Sequence, residues 1–245
     1  MTTLGRFSTR LRQQDWLAVA IELTIVMAGV FLGIQSANWN QSRQDQAEER
    51  RYYAQIIEDL EADLDTLALA ERRSRIHDRA AEITLAALRS GLPSGVSPGR
   101  AAVDIHYAGF LFLPKPARRT YDELISTGNL RLLQNQAAKD AIAGYYANFE
   151  SSRQWDDLLR QQQSDYWRVS AGVVPRRVLQ AAIRGTEPSV TSGEFATMIA
   201  EARRRTQLAD MIVGMAAHQE RVRRDSEGQR RLARQLIRQL APLAH

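Results

Sequence analysis

Residues 16–39 read WLAVAIELTIVMAGVFLGIQSANW, and the reading of this run decides the fold of the chain. Glu22 is its one charge, and up to Ile34 the rest is apolar or small. At a rise of ~1.5 Å per residue, residues 18–34 as helix cover most of a hydrocarbon core of ~30 Å. Trp16 and Trp39 at its two ends match the aromatic belts of membrane–water interfaces. The run predicts a transmembrane helix over 16–39, set between a short basic tail (1–15) and a soluble helical domain (40–245).

Two other readings compete with the anchor. Arg6, Arg10 and Arg12 would serve as the charged n-region of a cleaved signal peptide. The apolar run is longer than an h-region of ~7–15 residues, however, and no A-x-A-like site follows it. A buried helix of a soluble protein is the third reading, with Glu22 interrupting its apolar surface. The far flank carries Arg43, Arg50 and Arg51 among Asp45, Glu48 and Glu49, so the basic residues favour neither side strongly. A short basic tail ahead of a first span ordinarily stays in the cytoplasm, which predicts N-in, C-out.

At 100° per residue, Glu22, Gly29, Gly33, Ser36 and Asn40 fall near one meridian of this helix. Gly29-x-x-x-Gly33 is the small-x-x-x-small pattern that lets membrane helices approach closely. The stripe predicts packing against a second copy or a partner membrane helix. The plainer alternative is that glycine is common in such helices and Glu22 hydrates at the interface.

Beyond Trp39 the apolar residues become periodic. Tyr53, Ile57, Leu60, Leu64 and Leu67 step by four and three, an a/d seam that Ile76, Ala80, Ile83 and Leu88 extend. No Pro or Gly interrupts 42–90, which predicts one long helix, in line with the anchor. A Gly/Pro cluster from Gly91 to Gly99 ends it. The segment 91–134 reads as loop and short helices, including a capping-box pattern at Thr120 to Glu123 and a stop at Gly128. Asn135 is the expected N-cap of a long helix over 136–171. A loop with a short helix follows over 172–193, then a C-terminal helix over 194–241, introduced at Ser192 or Gly193. Within that last helix, HQERVRRDSEGQRR (residues 218–231) is too polar to bury much and reads as exposed or coiled coil, with fraying at Gly228. The fold expected is all-α: an N-terminal transmembrane helix, then a long-helix antiparallel bundle or coiled-coil stalk with short helices and loops at its distal end.

Two stretches resemble a known family. E-x-x-I-V-x-x-G-V-x-L-G-I-Q in the span, followed by N-W-N and I-E-D-L-E-A-D-L, is similar to an uncharacterised bacterial family of single-span membrane-anchored helical proteins, a domain of unknown function. TYDELISTGNLRLLQNQAAKDAIAGYY (residues 120–146) resembles that family's Y-x-x-L-x-x-S-G-x-L-x-x-I…Y-Y segment. Thr127 stands in place of its Ser, and Leu133 lies near a position where it takes a β-branched residue. The resemblance covers roughly the first third of the chain and 120–146. It implies a helical protein of the bacterial inner membrane and supplies no activity.

Composition narrows the function further. Of 245 residues, 44% are hydrophobic and 25% charged, ordinary values for a chain that builds a core. There is no cysteine, hence no disulfide framework, thiolate metal site or Cys nucleophile. The net charge of +5 comes from arginines interspersed with acids; Lys115 and Lys139 are the lysines. That pattern reads as solvated, ion-paired helix faces rather than a nucleic-acid patch. Phosphate-loop, dinucleotide, zincin and nucleophile-elbow motifs are missing. His77, His106, His218 and His245 stand singly, as surface or core-edge residues without the spacing of a metal site. The acids Glu58, Asp59, Glu61 and Asp63 read as the solvated polar face of the long helix, paired with arginines. Tyr145, Tyr146, Phe149, Trp155, Tyr166 and Trp167 read as core.

No catalytic, cofactor or metal site is therefore expected. The function expected is structural or interaction-based, with the lipid bilayer and either a homodimer or a partner membrane protein as partners. The alternative is an extracytoplasmic ligand-binding or sensory helical domain. Such domains normally return to the membrane through a second span, and this chain ends at His245 without one.

Overall fold

The long helix starts well before its expected first residue and stops where expected, at Ser90. In the computed structural model, which describes residues 15–245, α1 runs unbroken from Asp15 to Ser90, 76 residues. The absence of Pro, and of any Gly beyond Gly33, lets the amide ladder continue from the apolar run into the a/d seam. Gly91, at φ +87°, then stops it in the left-handed region that a side chain resists. Seven further α-helices follow: α2 (Pro98–Tyr107), α3 (Arg119–Ser126), α4 (Gln136–Ser152), α5 (Asp156–Ser170), α6 (Arg176–Ile183), α7 (Ser192–Arg204) and α8 (Leu208–Leu240). Short 3-10 turns occupy Asn129–Leu132 and Ala241–Leu243, and there is no strand among the described residues. The tail arginines Arg6, Arg10 and Arg12 lie outside the described residues.

The chain divides into two units, the first ending at Tyr52 and the second spanning Tyr53–His245. The first carries the apolar half of α1. From Ala20 it contains a window of 18 residues with mean hydropathy 1.7, none of it buried. Ile25, Val26, Met27, Val30, Phe31 and Leu32 are all exposed. The Arg43 guanidinium sits 4.7 Å from the centre of the Trp39 ring, and Arg51 pairs with Glu48 at 3.2 Å.

In the second unit α8 lies along α4 and α5, while α2 packs on α6 and α7. One core gathers Ala81 and Ala87 of α1, Ile105 of α2, Tyr166 of α5, Phe195 and Ile199 of α7 and Ile212 of α8. The Arg203 side chain closes the end of α1, its Nε donating to the Leu88 carbonyl at 2.8 Å. That bond satisfies one of the carbonyls a helix C-terminus leaves open. Asn135 caps α4 as expected, accepting from the Ala138 amide at 3.0 Å.

Several expected elements are corrected. The helix expected over 136–171 is two, broken at Arg153, Gln154 and Trp155, and the one over 194–241 breaks between Arg204 and Leu208. Neither break contains Pro or Gly, so propensity alone does not mark it. The cap of α7 is Thr191, whose side chain accepts from the Glu194 amide while Glu194 accepts from the Thr191 amide. The α3 helix begins one residue before the expected capping box, with no side-chain bond from its own N-cap. On α1 the buried stripe is wider than the a/d seam: Tyr53, Ile56, Leu60 and Leu67 are buried, Ile57 and Leu64 only half so, and the stripe takes in Asp59 and Asp63.

Candidate functional site

Asp59 and Asp63 lie one turn apart on α1, 6% and 1% exposed, inside the core rather than on a solvated face. Two buried carboxylates are tolerated only when their oxygens are occupied. Asp63 accepts from the Ala117 amide at 2.6 Å and from the Tyr145 hydroxyl at 2.7 Å. Asp59 accepts from the Thr120 amide at 2.9 Å, and the Arg119 guanidinium stands 3.8 Å away. Tyr146 donates to the Ala117 carbonyl at 3.1 Å, so both polar atoms of that residue's backbone are held.

Asp59 does for α3 what its own N-cap does not. It places a negative charge and an acceptor at the start of the helix, where free amides and the positive end of the dipole lie. The two arginines there oppose that dipole and are neutralised nearby. Arg118 pairs with Asp122 at 3.0 Å and Glu150 at 3.4 Å, and Arg119 approaches Asp59. Desolvation by burial, with a smaller contribution from Asp59, pushes the Asp63 carboxyl up to about 6. The same burial raises Tyr145 and Tyr146 well above the ordinary phenol range, keeping both as donors. Chemically the cluster is a latch. It ties residues 117–120 to α1 and α4.

The C-terminal helix departs from expectation in the polar stretch read as exposed. Gln219, Val222, Ser226 and Gln229 follow at three- and four-residue steps and are all buried. The arginines between them turn outward or sideways, and Arg230 forms a two-armed bond to Glu71 of α1 at 2.8 and 2.9 Å. Ser74 of α1 donates to the Gln219 carbonyl.

A cavity of about 40 Å³ opens beside this stripe. Its apolar wall includes Leu67, Leu113, Phe149, Leu159 and Val222. Its polar side includes Ser226, Gln229 and two ion pairs, Arg153–Asp156 at 3.1 Å and Arg221–Asp225 at 3.5 Å. The break between α4 and α5 is what brings Arg153 and Asp156 to its edge. Gln229 Nε2 donates to Asn148, but Gln229 Oε1 and Ser226 Oγ have no partner among the described residues. Each such buried atom costs about 1–3 kcal/mol.

The residues singled out in the span are placed as follows. Glu22, Gly29, Gly33, Ser36 and Asn40 are all exposed on α1, and a Cβ built on Gly29 or Gly33 meets nothing within 4 Å. Trp16 and Trp39 are likewise exposed, at 75% and 64%. Of the aromatic group, Tyr145, Tyr146, Phe149 and Tyr166 are core, while Trp155 is 44% exposed under the Arg221 guanidinium. His77 is a core residue against Phe110, ring centres 5.7 Å apart, and burial lowers it to about 4. His106 flanks the same Phe110 ring at 5.1 Å. Among the described residues no three of His, Cys, Asp and Glu gather as a metal set.

Sequence reasoning missed the acidic latch and the cavity because both rest on groups distant in sequence. The available signals were the position of Asp59 and Asp63 between buried Ile56, Leu60 and Leu67, and the seven-residue spacing of Val222 and Gln229. Comparison of the chain with protein-family models, with curated proteins and with solved structures finds no match in any of the three.

Proposed function

We propose that this chain is a single-pass membrane-anchored helical protein with a structural or protein-interaction role and no catalytic one. The observation that carries the proposal is the apolar window from Ala20, fully exposed on a helix whose later turns bury their apolar residues. Soluble monomers rarely leave so large an apolar surface uncovered, and lipid is the solvent that covers it. Residues 16–39 span about 35 Å as helix, which sets the two tryptophans near opposite interfaces. The soluble residues beyond form an antiparallel helical bundle, with α8 returning along α1. By the basic tail and the family resemblance, the N-terminus is cytoplasmic, the domain after Trp39 is extracytoplasmic, and the membrane is the bacterial inner one. The exposed stripe of Glu22, Gly29, Gly33, Ser36 and Asn40 is the face for a second copy or a partner membrane helix.

Alkaline carbonate washing tests the anchor: the full-length chain is expected to stay with membranes. Release into the wash, or a mature N-terminus beyond Ala37, would leave the apolar run as a soluble helix or a signal peptide. A reporter active only outside the cytoplasm, fused after His245, is expected to work; activity of its cytoplasmic counterpart instead inverts the topology. Gly29→Ile and Gly33→Ile are expected to weaken self-association in a membrane two-hybrid relative to Phe31→Ile. Equal signals from all three remove the stripe.

A further inference from the structure

A pocket of about 260 Å³ lies between α1, α2 and the loop that joins α6 to α7. Its walls are mainly apolar, built from Ile76, Val103, Tyr107, Ala182 and Pro188. The loop wall is strapped to the start of α2. There the Ser97 hydroxyl donates to Glu187, and a Cβ on Gly99 would collide with the Pro188 carbonyl oxygen. The cation in the lining is Arg100, and it is held from behind. Asp104, one turn along α2 and 0% exposed, accepts from Arg100 Nε on both oxygens, at 2.9 and 3.0 Å. Burying a carboxylate completely costs stability, and what this one secures is the angle of a half-exposed guanidinium. With Nε turned to Asp104, the Nη1–Nη2 edge points away from it and makes no hydrogen bond among the described residues. That edge is the fork that matches a carboxylate with two parallel bonds.

The surroundings of the fork define what it takes. Arg72 and Arg75 flank Ile76 on the exposed face of α1, and Arg184 precedes Gly185 of the lining. None of these three has an ion-pair partner among the described residues. Arg79, one turn beyond Ile76, is matched by Glu82, and Asp78 by Arg223. The surplus is positive, so a cation is repelled. Glu187 is the acid in the lining, with Oε1 taken by Ser97, and it disfavours a second negative charge on the ligand. Water or a neutral polar molecule leaves the fork without a charged partner and gains nothing from the apolar walls. The volume falls below the ~300 Å³ at which drug-sized pockets begin, which excludes a large guest. We propose that this pocket binds a small monocarboxylate with an apolar body. Its carboxylate accepts from Arg100 Nη1 and Nη2, and its body lies against Ile76, Val103 and Tyr107. The site is independent of the membrane reading, since all of its residues lie in the second unit.

Isothermal titration of the purified full-length chain tests it, with empty detergent micelles as the blank. The probes are phenylacetate, phenylacetamide, acetate and phenethylammonium. Saturable binding of phenylacetate is expected, at least tenfold tighter than of phenylacetamide or acetate, with none for phenethylammonium. Arg100→Lys keeps a charge beside Asp104 but lacks the fork, and is expected to weaken phenylacetate at least tenfold. Ile76→Glu sets a carboxylate in the pocket wall at a position 48% exposed, and is expected to abolish binding with circular dichroism unchanged. If Arg100→Lys does not fold, Ile76→Glu carries the comparison alone. Absence of saturable heat with phenylacetate overturns the proposal. So does phenylacetamide, acetate or phenethylammonium binding as tightly as phenylacetate, or phenylacetate binding undiminished in either folded variant.

Discussion

Tyr145 donates its hydroxyl proton to Asp63 Oδ2 at 2.7 Å, across 82 residues of sequence. The other oxygen of the same carboxylate holds the Ala117 amide at 2.6 Å. One acidic side chain thereby joins the long helix, the loop before α3 and the middle of α4. The charge is expensive there: burial raises the carboxyl from 3.8 to about 6 in the folded chain. The folded state holds this proton more tightly than the unfolded chain does, so stability is gained as pH falls through 6 toward 3.8 and lost as it rises again.

Asp63→Asn should remove that dependence. The amide oxygen still accepts from Ala117, and its NH₂ donates to Tyr145 in a reversed bond. In urea denaturation, the wild type is expected to lose on the order of 2 kcal/mol relative to Asp63→Asn between pH 4 and pH 7.5. Tyr145→Phe deletes a bond that holds the carboxyl down and is expected to shift the midpoint above 6. A stability difference flat with pH would show that Asp63 ionises as readily in the folded chain as in the unfolded one.

The latch also shows what was hidden in the sequence. Asp59 and Asp63 belong to a run, I-E-D-L-E-A-D-L, in which acids outnumber leucines, and acids on a helix ordinarily face water. Their burial depends on donors from residues 117, 120 and 145, none of which is within reach by helical spacing. The a/d seam located Tyr53, Leu60 and Leu67 because apolar periodicity is local. Ser226 and Gln229 escaped for the opposite reason: seven arginines between Arg221 and Arg238 mask a neutral stripe one residue wide. The break at Arg153 to Trp155, which builds the cavity's edge, has no helix-breaking residue to reveal it.

Close packing at one glycine gives a second prediction. Gly109 sits just after α2, and a Cβ there would lie 1.8 Å from the Cδ1 of Tyr166. Tyr166 is fully buried, with its hydroxyl donating to the Ile105 carbonyl, so its ring has nowhere to move. Gly109→Ala is expected to cost about 1–3 kcal/mol by overpacking. Gly144, inside α4, has open space where its Cβ would stand, so Gly144→Ala is expected to gain about 0.5–1 kcal/mol. Chemical denaturation of the two variants checks the contrast. Equal stability of Gly109→Ala and wild type would mean that Tyr166 is not seated against this backbone.

The pairing of α1 with α8 gives the last prediction. Glu71 meets Arg230, Asp78 meets Arg223, and Ser74 bonds the Gln219 carbonyl, so one helix descends as the other climbs. Asp59 and Asp63 are not the partners of these arginines, because their oxygens are taken by residues 117, 120 and 145. Seventeen residues back from Ser74 along α1 is Ile57, and seventeen on from Gln219 along α8 is Leu236. Ile57 is half-buried and Leu236 is 3% exposed, as the two sides of a packed seam should be. Phe195 belongs instead to the core around Ala81 and Ala87, and Ala81 lies about 36 Å along α1 from Ile57. The chain has no cysteine of its own, so two can be introduced without background. Ile57→Cys with Leu236→Cys is expected to link with a short bifunctional maleimide, and Ile57→Cys with Phe195→Cys to stay unlinked. Linkage of the second pair without the first would place α7, not the end of α8, against the middle of α1 and reverse the assignment of the returning helix.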